Sequence, residues 1–164
     1  MSRTINGVTY NYQFITTTSA TITSVSNYPI NFVIAEGFNV GGGGSGYMVY
    51  FTKIGDNLFY TSDGVPSNGL VSVTIPYRVT HIGENAFRGG LINGISTNSV
   101  LTSVIFEENS QLTSIGEAAF LLAAIPRINI PASVTSIGGY CFFNTPNLSS
   151  VIFERVDWGQ INIG

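Results

Sequence analysis

The sequence predicts a β-dominated α/β repeat, a solenoid with short helical turns preceded by a small antiparallel β cap. Three observations carry that prediction. A nine-residue phrase returns down the second half of the chain, first as Val79-Thr80-His81-Ile82-Gly83-Glu84-Asn85-Ala86-Phe87. It recurs as Leu112-Thr113-Ser114-Ile115-Gly116-Glu117-Ala118-Ala119-Phe120 and as Val134-Thr135-Ser136-Ile137-Gly138-Gly139-Tyr140-Cys141-Phe142. A strand-like signature precedes each phrase, and ahead of residue 70 the apolar pattern changes to a period of two. A unit of about 20–30 residues that buries its apolar face only against its neighbours marks a stack of repeats. Such stacks act by presenting a surface, which weighs against catalysis.

In chain order, Tyr10, Tyr12 and Phe14 alternate with Asn11 and Gln13, and Thr16-Thr17-Thr18-Ser19 forms a turn before a strand from Ala20 to Val25. Further strands are expected over Ile30 to Ala35, Tyr47 to Ile54 and Asn57 to Thr61, with turns at Gly55-Asp56 and Asp63-Gly64. Residues 1–69 are therefore a small β unit that covers the exposed core of the first repeat, as a terminal cap must. Six of the eight tyrosines fall within residues 1–60, where they serve as half-buried packing or as a binding patch.

Residues 70–164 form about three full units and a partial fourth. The strand signature places apolar residues at positions one, four and six: Leu70-Val73-Ile75, Leu101-Val104-Phe106, Ile125-Ile128-Ile130 and Leu148-Val151-Phe153. Positions four and six face the same side of a strand, and the residue between them faces the other. Pro76, Glu107, Pro131 or Glu154 follows the strand, and proline ends ladder pairing by removing a donor. The Gly of Ile-Gly permits a tight corner, and the following x-x-Ala-Phe reads as one helical turn that drops a Phe into the core. Phe87, Phe120 and Phe142 are expected to be buried, and Ala86, Ala119 and Cys141 share one small slot. Spacing is uneven: Ile82 to Ile115 is 33 residues and Ile115 to Ile137 is 22, the excess lying in the Gly-rich insertion from Gly89 to Val100.

Taken together, these units resemble the BspA-like leucine-rich repeat, which reads roughly L-T-S-V-x-I-P-x-x-V-T-x-I-G-x-x-A-F. The likeness covers about Leu70 to Phe153, and Ile5-Asn6-Gly7-Val8-Thr9-Tyr10 is similar to the hairpin found ahead of such repeats. It implies a leucine-rich-repeat superhelix without enzymatic activity, used for protein contact or adhesion. Such modules occur in surface adhesins of bacteria and parasitic protists and in large DNA viruses.

Composition narrows the partners. Only 9% of residues are charged, against roughly 25% in ordinary soluble domains. With a net charge of −3, either neighbours cover this surface or its Ser, Thr and Asn side chains keep it dispersed alone. The positive residues Arg3, Lys53, Arg78, Arg88, Arg127 and Arg155 form no stripe, so no nucleic acid is expected. The longest apolar run, Ala118 to Pro126, is far short of a bilayer span, and no membrane insertion is expected. Met1 to Gly7 holds no apolar core of a secretory signal.

Candidate chemistry is thin. Gly41-Gly42-Gly43-Gly44-Ser45-Gly46 lacks the Lys and the Ser or Thr of a phosphate loop, since Tyr47 and Met48 follow. His81 takes the slot of Ser114 and Ser136, and no second His exists for zinc or for a Ser/His pair. Cys141 reads as buried filler, Glu107-Glu108 as a solvated corner, and Asp56 and Asp63 as turn formers. Asn147-Leu148-Ser149 is a sequon that chance readily supplies. No catalytic, metal or cofactor site is expected.

What remains is a surface. Outward strand positions stack from unit to unit as Ser72 and Thr74, Ser103 and Ile105, Arg127 and Asn129, and Ser150 and Ile152. The resemblance makes this row the concave face that holds partners. The final strand is an edge, and the segment after it carries Trp158, the expected anchor of a contact between residues 151–164 and another chain; folding back as an internal cap is the competitor. The expected role is a non-enzymatic scaffold for protein–protein contact, as a structural or accessory component of a larger assembly such as a viral particle. A cell-surface adhesin or ligand-binding module is the alternative. Its partners would be other protein chains, including copies of itself.

Overall fold

The computed structural model describes residues 1–41, 46–60, 69–92, 95–97, 100–154 and 162–163. Strands dominate, and the described residues contain no α-helix. Among them no helix is therefore long and apolar enough to cross a membrane.

The chain opens with an antiparallel meander: β1 (Ser2–Ile5), β2 (Val8–Phe14) and β3 (Ser19–Ser26). Asn6 and Gly7, at φ 49° and 82°, form the two-residue turn between β1 and β2; Asn and Gly tolerate the left-handed pair that matches strand twist. β4 (Asn31–Val33) leaves this sheet, whereas β5 (Gly37–Val40) pairs antiparallel with β6 (Tyr47–Ile54). From there pairing is parallel: β3 to β6, then β8 (His81–Ile82), β12 (Ser114–Ile115), β14 (Ser136–Ile137) and β16 (Asn162–Ile163). The result is a nine-stranded sheet in which Ile22, Ile54, Ile82, Ile115 and Ile137 share one buried row.

Two side-chain types explain the recurring phrase. The amide and hydroxyl of each Thr both donate to the carbonyl of the Thr one unit earlier. Thr80 binds Thr52, Thr113 binds Thr80, and Thr135 binds Thr113. Each Gly is needed for close approach rather than for its own φ. A Cβ on Gly116 would lie 2.6 Å from the Gly83 carbonyl carbon, and one on Gly138 would lie 2.5 Å from the Glu117 nitrogen. The corner is tight because the next backbone sits where a side chain would be.

The strand halves build the opposite wall. β7 (Ser72–Ile75) lies between β4 and β11 (Ser103–Phe106), all parallel. β13 (Arg127–Ile130) and β15 (Ser150–Phe153) form a separate parallel pair. Prolines at both ends of β13 contribute to the gap. The amides of Thr102 and Ser149 reach back to the carbonyls of Val71 and Pro126, and those of Glu107 and Glu154 reach back to Ile75 and Ile130. The corresponding residues around β13 are Pro126 and Pro131, which have no N–H to offer β11.

Between the walls runs a column of rings. Phe59, Phe87, Phe120 and Phe142 stack face to face with centroids 5.1, 5.4 and 5.7 Å apart. Phe87 and Phe120 are buried as expected, but Phe142 is only partly buried because no described residue stacks beyond it. The Ala-Phe segments are turns, not helical turns. Asn57, Asn85, Ala118 and Tyr140, at φ 52–58°, hold the left-handed conformation that a right-handed helix excludes. Turn amides then pair with the next unit: Asn85 with Glu117, Phe87 with Ala119, Ala118 with Gly139 and Phe120 with Cys141, at 2.9–3.0 Å.

Two further segments differ from expectation. Residues 57–59, expected as a strand, form the first of these turns, and the Phe59 and Leu58 side chains enter the core. The insertion after Gly89 contains a two-stranded antiparallel hairpin, β9 (Gly90–Ile92) and β10 (Ile95–Thr97).

Candidate protein-contact face

Alternation within the second wall sorts its side chains. Phe32, Val73, Val104 and Ile128 point inward and are buried, as are Ile34, Ile75 and Ile130. Residues between them must then face outward. Register brings Ser103 beside Ser72 and Ile105 beside Thr74, and places Arg127 beside Ser150 and Asn129 beside Ile152. All eight strand positions expected from the sequence thus lie on one face. Trp158 falls outside the described residues.

Sequence reasoning missed the first rung of this face. β4 places Asn31 beside Ser72 and Val33 beside Thr74. The signal was present: Phe32 and Ile34 match positions four and six of the strand signature, but Pro29 stands where the leading Leu would be.

Two rows result. Asn31, Ser72, Ser103, Arg127 and Ser150 make a polar one, with Arg127 its single charge. Val33, Thr74, Ile105, Asn129 and Ile152 make a mixed one, whose aliphatic members are 62%, 50% and 43% exposed. Solvent alone does not favour β-branched aliphatic side chains at every second position of an outward row. At the proline-bracketed gap the face dips into a notch of about 250 Å³ lined by Val104, Ile105, Phe106, Arg127, Asn129 and Glu154.

The other wall is polar and chemically quiet. His81 is exposed beside Lys53 in the outward row, with Nδ1 2.8 Å from the Thr80 hydroxyl. Burial of its edge and the nearby Lys53 ammonium lower its imidazole pKa, which favours the neutral ring. The Asp56 carboxylate accepts the Glu84 amide at 2.8 Å, a turn-bracing role. Just after β11, on the wall of the candidate face, Glu107 likewise accepts the Tyr77 amide at 3.0 Å. Cys141 is buried in the slot of Ala86 and Ala119, and burial pushes its thiol up to about 12, far from nucleophilic reactivity. Among the described residues no three His, Cys, Asp or Glu side chains gather as metal ligands. The Thr80 hydroxyl gives its proton to the Thr52 carbonyl rather than to His81, and the geometry offers contact area and hydrogen-bonding groups.

Comparison with known proteins agrees with the architecture. The family model described as the BspA type leucine rich repeat region matches residues 49–157 in 6 copies. A crystal structure of a leucine-rich repeat protein from Bacteroides capillosus is similar at 25% identity and a TM-score of 0.65, over 93% of this chain and 98% of that one. The pneumococcal vaccine antigen PcpA is similar at 22% identity and a TM-score of 0.64 over 94% of this chain. The chain spans 38% of that antigen's length. No curated protein matches the chain.

Proposed function

We propose, from the premise that this chain belongs to the BspA type leucine-rich repeat family, that it binds another protein along the β4-β7-β11-β13-β15 face without catalysing a reaction. One observation carries this reading: Val33, Ile105 and Ile152 stand exposed in one row, beside polar side chains of which Arg127 alone is charged, on a wall whose inward residues Phe32, Val73, Val104 and Ile128 are buried from β4 through β13. An aliphatic stripe with a polar border is the composition of a protein-contact patch. Family membership supports the non-enzymatic part, since leucine-rich repeats generally serve as interaction scaffolds. In this version the chain is a ligand-binding or adhesive module, residues 1–69 cover one end of a solenoid while holding a first copy of the phrase at 51–59, and residues 70–164 carry the later repeats. A photo-reactive amino acid at position 105 should crosslink a partner protein in the native source, and one at position 136 on the opposite wall should not. Equal crosslinking from both positions would overturn the assignment of the face.

A second reading, a component of a larger assembly of protein chains, draws on the far end of the stack. Tyr140 and Phe143 are exposed there, and Val151 is 38% exposed although its counterparts Val73, Val104 and Ile128 are buried. Trp158 would anchor that contact. The comparisons lend the virion version no support, so the ligand-binding module is preferred. Light scattering separates the two: a monomer at micromolar concentration disfavours self-assembly, and a concentration-dependent rise in mass supports it.

A further inference from the structure

We infer that the open edge of β4 is a second binding site, which takes an extended cationic peptide as an added strand. Among the described residues β4 has one strand neighbour, β7. The Val71 and Ser72 amides donate to the Ile30 carbonyl, and the Ile34 amide donates to the Thr74 carbonyl. In a parallel ladder the residues that bond to a given neighbour alternate. Ile30, Phe32 and Ile34 therefore turn their peptide groups to β7, and Asn31 and Val33 turn theirs to the far side.

That far side is a groove, not open solvent. It measures about 430 Å³ and runs between the β4 segment and the β1–β2 turn. Ile5, Asn6 and Val8 form one wall, Asn31 to Glu36 form the other, and Tyr10 and Phe32 lie between them. Tyr10 is fixed by accepting the Ala35 amide at 3.1 Å, and its ring lies 6.1 Å from that of Phe32, so the floor is rigid and apolar. An extended segment laid here would bond main chain to main chain with Asn31 and Val33 and direct alternate side chains onto that floor. The groove also selects charge: its carboxylate lining residues are Glu36 and Glu107, and the described lining residues include no Lys or Arg. The occupant is thus a peptide with small aliphatic side chains at alternate positions and a Lys or Arg at an end. It would extend the β4-β7-β11 sheet by one strand, adjoining the first rung of the outward face and held by the main-chain groups of Asn31 and Val33 rather than by their side chains.

The test uses the full chain and a capped heptapeptide of alternating threonine and valine with lysine at both ends. Saturating peptide should slow hydrogen exchange at the Asn31 and Val33 amides at least tenfold. Methylating the peptide's valine amides and methylating its threonine amides should have unequal effects, because only one set can face β4. Val33→Pro removes an outward donor while leaving the ladder to β7 intact, and should weaken binding at least tenfold with melting unchanged. Should that variant fail to fold, Glu36→Lys serves instead, with weaker binding and loss of salt dependence. No change at the Asn31 and Val33 amides up to millimolar peptide would overturn the proposal. So would shifts confined to Ser103 and Ile105 on the outward face, or undiminished binding by Val33→Pro.

Discussion

The ring of Phe142 lies 5.7 Å from that of Phe120 and within 3° of parallel, yet Phe120 is fully buried and Phe142 is not. Identical slots thus differ in burial according to whether, among the described residues, another ring stacks beyond them. Phe120→Ala should cost about 3–5 kcal/mol, the range for a large buried aromatic, and Phe142→Ala clearly less. Urea denaturation of both variants checks this, and equal losses would contradict the stacking order.

Gly116→Ala should destabilise by about 1–3 kcal/mol, the usual range for overpacking. The added methyl would meet the Gly83 carbonyl carbon and the Glu84 nitrogen at 2.6 and 2.7 Å, and both are backbone atoms that cannot rotate away. A Gly7→Ala control meets nothing within 4 Å, so its cost reflects its φ of 82° alone. Thermal melting of the pair separates crowding from conformational strain.

Ala118→Gly should stabilise the chain by about 0.5–1 kcal/mol. Ala118 sits at φ 52°, in the slot that Asn57 and Asn85 fill in earlier units. Relief of left-handed strain outweighs the extra entropy that glycine brings to the unfolded chain. A lower melting temperature would show that the buried methyl contributes more by packing than it costs in strain.

Cys141 gives stability a pH dependence of definite sign. Burial raises its thiol to about 12, above the ordinary thiol value of roughly 8.5. The folded chain therefore holds the proton longer than the unfolded chain. This contribution is fully present below about pH 8.5 and is lost as pH rises through the folded value. Cys141→Ala, which installs the residue of Ala86 and Ala119, should flatten the alkaline arm of a stability–pH curve. An unchanged arm would mean that the thiol is accessible.

Much of this was legible because each repeating residue has one mechanical task. Ile at the strand, Thr beside it and Gly at the close approach each match an observed row. What stayed hidden was masked by a competing pattern. Phe51-Thr52-Lys53-Ile54-Gly55-Asp56-Asn57-Leu58-Phe59 fits the nine-residue phrase, but the alternation from Tyr47 to Ile54 reads as an ordinary strand, and Leu58 replaces the small residue. The turn conformation was misread for a similar reason. Ala118-Ala119-Phe120 has helical propensity, whereas Asn57 and Asn85 in the same slot already favour left-handed backbone. On the outward face of the second wall, the eight strand positions followed from alternation, and β4 did not, because Pro29 hides its register.

The gap between β11 and β13 has a mechanical consequence. Strands lie across the stack, so a pull along its length loads the rungs as a zipper rather than in shear. Rungs on one wall are tied by main-chain bonds through β8, β12 and β14, whereas on the other wall Pro126 and Pro131 remove the flanking amides that would tie β13 back to β11. Under tension the molecule should open on that wall first, folding back about the intact threonine row like a book about its spine. A partner gripping both halves of the outward face would resist this opening, and one gripping a single half would not.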